Sequence, residues 1–157
     1  MPERYPAITI WQPWATLIAE GIKPFEFRSW PAPRRLVGKR IAIHAGARPV
    51  RRVEIRDLIH RLEIDGAHGQ AMQVGPALTL LERVWADLGM LPLSSILCLA
   101  TLGEPLSPEQ VGRQLANDSD RSGHFNWAWP LSAIERLEPF VPARGSQGWW
   151  TWERVEA

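Results

Sequence analysis

The 157-residue chain predicts a mixed α+β domain: a small β-barrel built from strands at both ends of the chain, with helices inserted between them. Three features carry that expectation. Segments of alternating polarity recur near the N-terminus, at Phe25-Glu26-Phe27-Arg28 and from Gly38 to His44. Strand-like, Trp-rich segments cut by Pro and Gly turns run from Phe125 to Trp152. Between the two ends lie stretches with the apolar spacing of helices. A chain of this length with 45% hydrophobic content fills one core of ordinary size, so a single domain is expected.

Taken in order, Ala7 to Ile10 reads as the first strand. Pro13 suits the first turn of a helix, because the N–H it lacks would have no partner there. Leu17 and Ile18 continue that helix, and Gly21 is placed to end it in a left-handed conformation that costs glycine little. Strict alternation in Phe25-Glu26-Phe27-Arg28 marks a half-buried strand, expected to turn Phe25 and Phe27 inward and to leave Glu26 and Arg28 together on the other face. Trp30-Pro31-Ala32-Pro33 is turn-rich. In the strand that follows, Ile41 and Ile43 share one face while Arg40 and His44 point the opposite way. Residues 50–64 are expected to be helical, with Val53, Ile55, Ile59 and Leu62 on one stripe and Arg51, Arg52, Arg56 and His60 off it. A link from Asp65 to Gly75 precedes a second helix near Ala77 to Leu88. Ser94 to Leu102 reads as a buried strand, and Ser107-Pro108-Glu109 opens a short helix. Asn117 to Gly123 is a loop by composition. Strands are expected at Phe125 to Trp129, Ile134 to Val141 and Gly148 to Trp152.

No apolar run approaches the roughly 18 residues of a membrane span. The start, Met1-Pro2-Glu3-Arg4, lacks the layout of a signal peptide, so a cytoplasmic location is expected. The single Cys98 lies in an apolar run and reads as a small buried hydrophobe. His44, His60, His68 and Cys98 show none of the close paired spacings of a structural zinc site, and no metal or cofactor is expected. Charge is uneven. Residues 1–61 carry 12 of the 18 Lys and Arg but five of the 17 acids. Such a distribution either makes a one-sided positive surface that attracts phosphate or is cancelled when the folded chain interleaves its halves.

Nine Trp is a high count, and eight of them, all except Trp85, fall in the two strand-rich ends. On a strand Trp150 and Trp152 share one face and Trp149 takes the other, so they cannot all enter one core layer. At least one indole is therefore expected to be exposed or to line a pocket, where it could stack on an unpaired base. Lys23, Glu26 and Arg28 bring an ammonium, a carboxylate and a guanidinium together at a strand edge, either as a reactive set or as an ordinary surface ion pair. His44 ends its strand beside Gly46, as a projecting donor or base or as a structurally satisfied histidine. Arg144-Gly145-Ser146-Gln147-Gly148 offers backbone N–H groups with hydroxyl and amide partners that could read a base edge or hold a phosphate. No nucleophile elbow, phosphate-binding loop, dinucleotide fingerprint or metalloprotease helix is present in the sequence.

The run Gln12-Pro13-Trp14-Ala15, then Gly21-Ile22-Lys23, Glu26, Arg28-Ser29-Trp30, Gly38 and Ile41-Ala42-Ile43-His44, resembles the ASCH domain, named for activating signal cointegrator-1 homology. The resemblance is close over residues 7–46. Phe125 to Trp152, with its Pro142-Ala143-Arg144-Gly145 turn, is similar to the end of the same domain. It implies one domain over residues 1–157, with 47–95 as a helical insertion. It also implies a PUA-like barrel with a cleft between barrel and first helix, in a family associated with RNA binding and related to readers of modified bases. In some small ASCH-like proteins the Lys of a Gly-x-Lys motif works with a downstream Thr and a Glu as an amidohydrolase on N4-acetylcytidine. Lys23 matches that Lys, whereas the position three residues on is Glu26 instead of Thr. Other ASCH proteins look like ribonucleases.

The preferred expectation is a module that binds single-stranded RNA or a modified nucleotide, with DNA left open as a partner. Its ligand-binding set is Gln12, Trp14, Lys23, Glu26, Arg28, Trp30, Arg40, His44, Ser146, Gln147 and Trp149. Lys23, Arg28 and Arg40 would meet phosphate, the indoles would stack, and Ser146 or Gln147 would read an edge. One alternative is a hydrolase in which Lys23 or Glu26 activates water or is itself the nucleophile, Arg28 stabilising developing negative charge. Another is a protein-interaction domain that uses the insertion helices. No membrane partner is expected, and the oligomeric state is left open.

Overall fold

The computed structural model describes residues 2–66, 71–114 and 126–155. Among these residues six strands are present: β1 (Glu3–Ile10), β2 (Phe25–Arg28), β3 (Arg40–Ala45), β4 (Ser95–Leu102), β5 (Trp127–Pro142) and β6 (Trp149–Arg154). Among the described residues four α-helices accompany them: α1 (Trp14–Ala19), α2 (Arg52–Asp65), α3 (Val74–Ala86) and α4 (Pro108–Gln114). The strands lie in the order β2-β5-β4-β3-β1-β6, with β1 and β3 parallel and every other pair antiparallel. The class is therefore α+β, as expected. Among the described residues no ladder joins β2 to β6, so the order is open, where the sequence predicts a closed barrel.

Two expected strands, Phe125 to Trp129 and Ile134 to Val141, fall in one long β5 from Trp127 onward, with Phe125 outside the described residues. Its start pairs with β2 through Trp127–Pro130, and the rest pairs with β4. Register shifts between Ile96 and Cys98 and between Leu99 and Thr101, with Ala133 at a φ of 49°, interrupt the ladder. Such bulges bend a strand and increase its twist, which lets one strand serve two partners at different angles. The expected loop at 117–123 lies outside the described residues. The expected helix near 77–88 runs from Val74 to Ala86, and Gly21 ends α1 at a φ of 74° as predicted.

Side chains alternate across the sheet, and the apolar ones feed two clusters. Ile8, Ile41, Ile43 and Leu97 pack with Ile18 of α1 and Trp129, while Ala7, Ala42, Ile96, Leu99, Leu137 and Trp152 fill the other side. Leu17 of α1 joins Ile55, Leu58, Leu62, Ala77, Leu81 and Val84 in a further cluster that seats α2 and α3. Residues 15–19 of α1 are accordingly all buried. Cys98 is also buried, and desolvation pushes its thiol pKa up to about 12, which leaves it an inert core residue. No helix among the described residues is long and apolar enough to cross a membrane.

Candidate functional site

Backbone hydrogen bonds gather several loops at one end of the sheet. Gly46 N–H donates to Ile10 O at 3.0 Å, Ser94 N–H to Gly46 O at 3.3 Å and Ala143 N–H to Ser94 O at 3.0 Å. The ends of β1 and β3, the start of β4 and the end of β5 are thereby tied together. Beside them opens a cleft of about 1320 Å³, larger than the ~300–1,000 Å³ common for small-molecule sites.

β2 forms one wall. Its alternation is present, but the face carrying Glu26 is the enclosed one: Glu26 is buried while Phe25 and Phe27 are half-buried. The sequence predicts the reverse, and the tertiary reason is that β2 pairs with β5 and turns its polar face into the cleft. Arg28 Nη2 and Nε lie 2.8 and 3.0 Å from Glu26 Oε2, and Phe27 N–H donates to Oε1 at 3.2 Å. Arg28 also donates to Thr9 O at 3.1 Å, so a charge-assisted fork joins β2 to β1. Lys23 is almost fully buried. Its Nζ donates to Phe25 O at 2.6 Å and lies 4.8 Å from the Phe27 ring centroid and 5.6 Å from that of Trp14. The aliphatic stem is thus enclosed while the ammonium is held by a carbonyl and two π faces.

The opposite wall is the turn after β5. His44 Nε2 donates to Ala143 O at 2.7 Å, which leaves Nδ1 to accept from the Thr9 hydroxyl at 3.0 Å. Trp150 Nε1 donates in turn to Thr9 Oγ1 at 3.1 Å, and the Trp150 ring meets that of His44 edge-on at 5.2 Å. Desolvation lowers the His44 pKa below its ordinary value against the opposing pull of the Ala143 carbonyl. Both ring nitrogens are therefore engaged, and His44 is the satisfied histidine of the two readings the sequence left open. Gly145 packs directly on it: a Cβ there would fall 2.6 Å from His44 Cε1 and from Thr9 Oγ1.

Aromatic side chains stand at the rim. Trp11 is 58% and Trp30 53% exposed, and both line the cleft with half-buried Trp14. Trp129 explains the position of Trp30, since its Nε1 donates to Trp30 O at 3.0 Å and fixes that backbone while the Trp30 indole stays outside.

Of the eleven residues expected to bind ligand, eight line the cleft: Trp14, Lys23, Glu26, Arg28, Trp30, His44, Ser146 and Gln147. Three lie elsewhere. Gln12 is buried and braces α1, its amide nitrogen donating to Thr16 Oγ1 at 2.7 Å and to Pro92 O at 2.8 Å. Arg40 donates to Thr101 Oγ1 and Ala133 O and approaches Glu135 at 3.9 Å; it shares a face with His44 but stands at the other end of β3, about 13 Å away at the usual rise of a strand. Trp149 stacks on buried Trp129 at 5.8 Å and packs against the core. Thr9 and Asn126 line the cleft without having been singled out, and Arg144 lines it as a residue of the marked turn that the binding set did not include. Thr9 occupies an ordinary strand position and Asn126 a strand border, so neither carried a local signal, whereas Arg144 sat in a turn already marked. Among the described residues no group of three or more His, Cys, Asp or Glu is placed to hold a metal ion.

These features define an α+β domain with a basic cleft, rimmed by indoles, at one end of its sheet. The family model of the ASCH domain matches residues 8–137, and the chain belongs to that family. Among solved structures it is similar to ASCH from Zymomonas mobilis, with 16% identity over 87% of this chain and 72% of that one and a TM-score of 0.46. Two mutants of the Zymomonas mobilis protein align likewise. One has 17% identity over 90% of this chain and 77% of that one, with a TM-score of 0.47. The other has 15% identity over 87% and 74%, with a TM-score of 0.48. No curated protein matches the chain.

Proposed function

We propose that this ASCH domain binds single-stranded RNA, or a modified nucleotide within it, in the cleft. The observation that carries the reading is the pairing of exposed indoles, Trp11 and Trp30, with cationic Lys23 and Arg28 along one concave surface. Unpaired bases need open π faces and their phosphates need positive charge, and neither requirement is met by a surface salt bridge alone. Arg144, exposed on the turn, takes the phosphate-binding place expected of Arg40, while exposed Ser146 and Gln147 offer a hydroxyl and an amide to a base edge. Residues 1–157 act in this reading as one unit in the cytoplasm, without a cofactor.

The test is a titration of labelled single-stranded RNA, single-stranded DNA and duplex DNA at two salt concentrations. Single-stranded RNA is expected to bind best, with affinity falling as salt rises. Trp30→Ala and Lys23→Ala should each weaken it. Unchanged affinity in both variants would overturn the cleft as the site.

A second reading, a small hydrolase acting as a ribonuclease or on N4-acetylcytidine-like nucleosides, has in its favour a buried Lys23 and a Glu26 carboxylate on the same cleft wall. It predicts cleaved product in the same mixtures, abolished in a Glu26→Gln variant that still binds. Intact RNA and intact acetylated nucleoside after long incubation would exclude it.

A further inference from the structure

Positive charge and exposed indole continue past the cleft onto the inserted helices. The Arg48 guanidinium lies 4.6 Å from the centroid of Trp11, at the cleft rim. Arg48 also pairs with Glu54 of α2, which Arg51 approaches at 3.4 Å. Four residues beyond Arg48, the guanidinium of Arg52 lies 5.5 Å from the centroid of Trp85, and its Nε donates to Trp85 O at 3.0 Å. Two arginine-on-indole pairs thus follow one another, the first on the cleft and the second where α2 begins and α3 ends. Four residues of chain span at most about 14 Å, so a strand leaving the cleft past Trp11 comes within reach of the second pair.

Core packing does not account for Trp85. Leu81 and Val84 supply the buried side of α3, whereas Trp85 is 40% exposed. Residues 48–61 hold five arginines against two acids, Glu54 and Asp57, and Arg51, Arg52 and Arg56 are exposed. A guanidinium close to a partly exposed indole sets positive charge beside an aromatic face, a surface suited to an unpaired base and its phosphate; a duplex keeps its base faces hidden.

We infer that the first turn of α2 and the last turn of α3 form a second binding segment for the same single-stranded RNA, with Arg52 and Trp85 stacking a base and Arg51 and Arg56 meeting phosphates. This rests on the reading of the cleft as an RNA site. The 47–95 insertion then lengthens the track that the cleft begins.

The experiment compares single-stranded RNA of about four and about 16 nucleotides, the range of site sizes of single-strand binding folds. Wild-type protein is measured beside the double variant Arg52→Ala, Trp85→Ala. The long strand should bind wild type at least about tenfold more tightly than the short one, and the variant should lose that gain while keeping its short-strand affinity. Loss of a phosphate contact, as in Arg51→Glu, should also make the salt dependence on the long strand shallower, by about 0.7 in log–log slope. Because Arg52 also ties α2 to α3, Arg51→Glu serves as a second variant that spares that contact and should weaken the long strand alone. Equal affinity for both lengths in wild type, or a long-strand affinity unchanged in both variants, overturns this segment and leaves the cleft reading intact. Failure of wild type to bind either strand overturns both.

Discussion

His44 shows how a residue with the chemistry of a base can be committed to structure. With Nε2 donating to Ala143 O and Nδ1 accepting from Thr9, it has no lone pair free for a substrate proton. Its lowered pKa has a consequence for stability. The unfolded chain takes up the proton near pH 6.5 while the folded chain resists it, so the unfolded state binds more protons in that window. Stability should therefore be greatest above about pH 6.5 and fall as pH drops through it, by up to ~1.4 kcal/mol per pH unit for this one group. Denaturant unfolding at pH 7.5 and 5.5 checks this: His44→Gln should flatten the difference, and an unchanged pH profile would show that His44 does not set it. Trp30 is the opposite kind of residue, half outside the protein, with its backbone carbonyl held by Trp129. Trp30→Ala should leave the melting temperature nearly unchanged and cost about 1–3 kcal/mol of single-strand binding, read by fluorescence anisotropy.

Among the elements, β2 and the turn after β5 decide the shape of the cleft. The alternation of Phe25-Glu26-Phe27-Arg28 was legible in the sequence, and so was the proximity of Glu26 to Arg28, because period-two geometry sets which side chains share a face. Which face would be enclosed was not legible, since that depends on β5 and on Thr9, both distant in the chain. The turn holds its place through Gly145, which has no Cβ to strike His44. Gly145→Ala should push residues 143–147 away from β1 and β3. Overpacking of this kind typically costs 1–3 kcal/mol, so a fall in unfolding free energy of about that size is expected, together with weaker RNA binding. Wild-type stability and binding in this variant would show that the turn yields without consequence. Arg40 keeps the alternation the sequence shows and is lost from the expected set by its position: the cleft opens at the His44 end of β3, and the sequence of one strand carries no sign of which end a cleft will use.

At the scale of the whole molecule, the uneven charge of the sequence resolves into two parts. Away from the cleft, basic residues of the first half meet acids of the second: Arg34 with Glu104, Arg40 with Glu135 at 3.9 Å and Arg4 with Glu153 at 3.9 Å. Lys23, Arg28 and Arg144 instead line the cleft, with Glu26 engaged by Arg28. If those three cations meet phosphates, the log of the binding constant should fall against the log of salt with a slope of about −2, from ~0.7 per phosphate for a single strand. A slope near zero would remove phosphate contact from the account. By itself the sequence determined the α+β class, nearly every element, the family and eight of the 21 residues that line the cleft. These rest on local periodicity, on the turn preferences of Pro and Gly and on the short motif from Gln12 to His44, all of which act over a few neighbouring residues. The tertiary structure alone decided that the strand order is open, that Gln12, Arg40 and Trp149 stand outside the cleft, and that Thr9 and Asn126 belong to it. The physical reason is range: pairing partners, bulges and the packing of one strand across two others are set by contacts between segments far apart in the chain, and no local pattern encodes them.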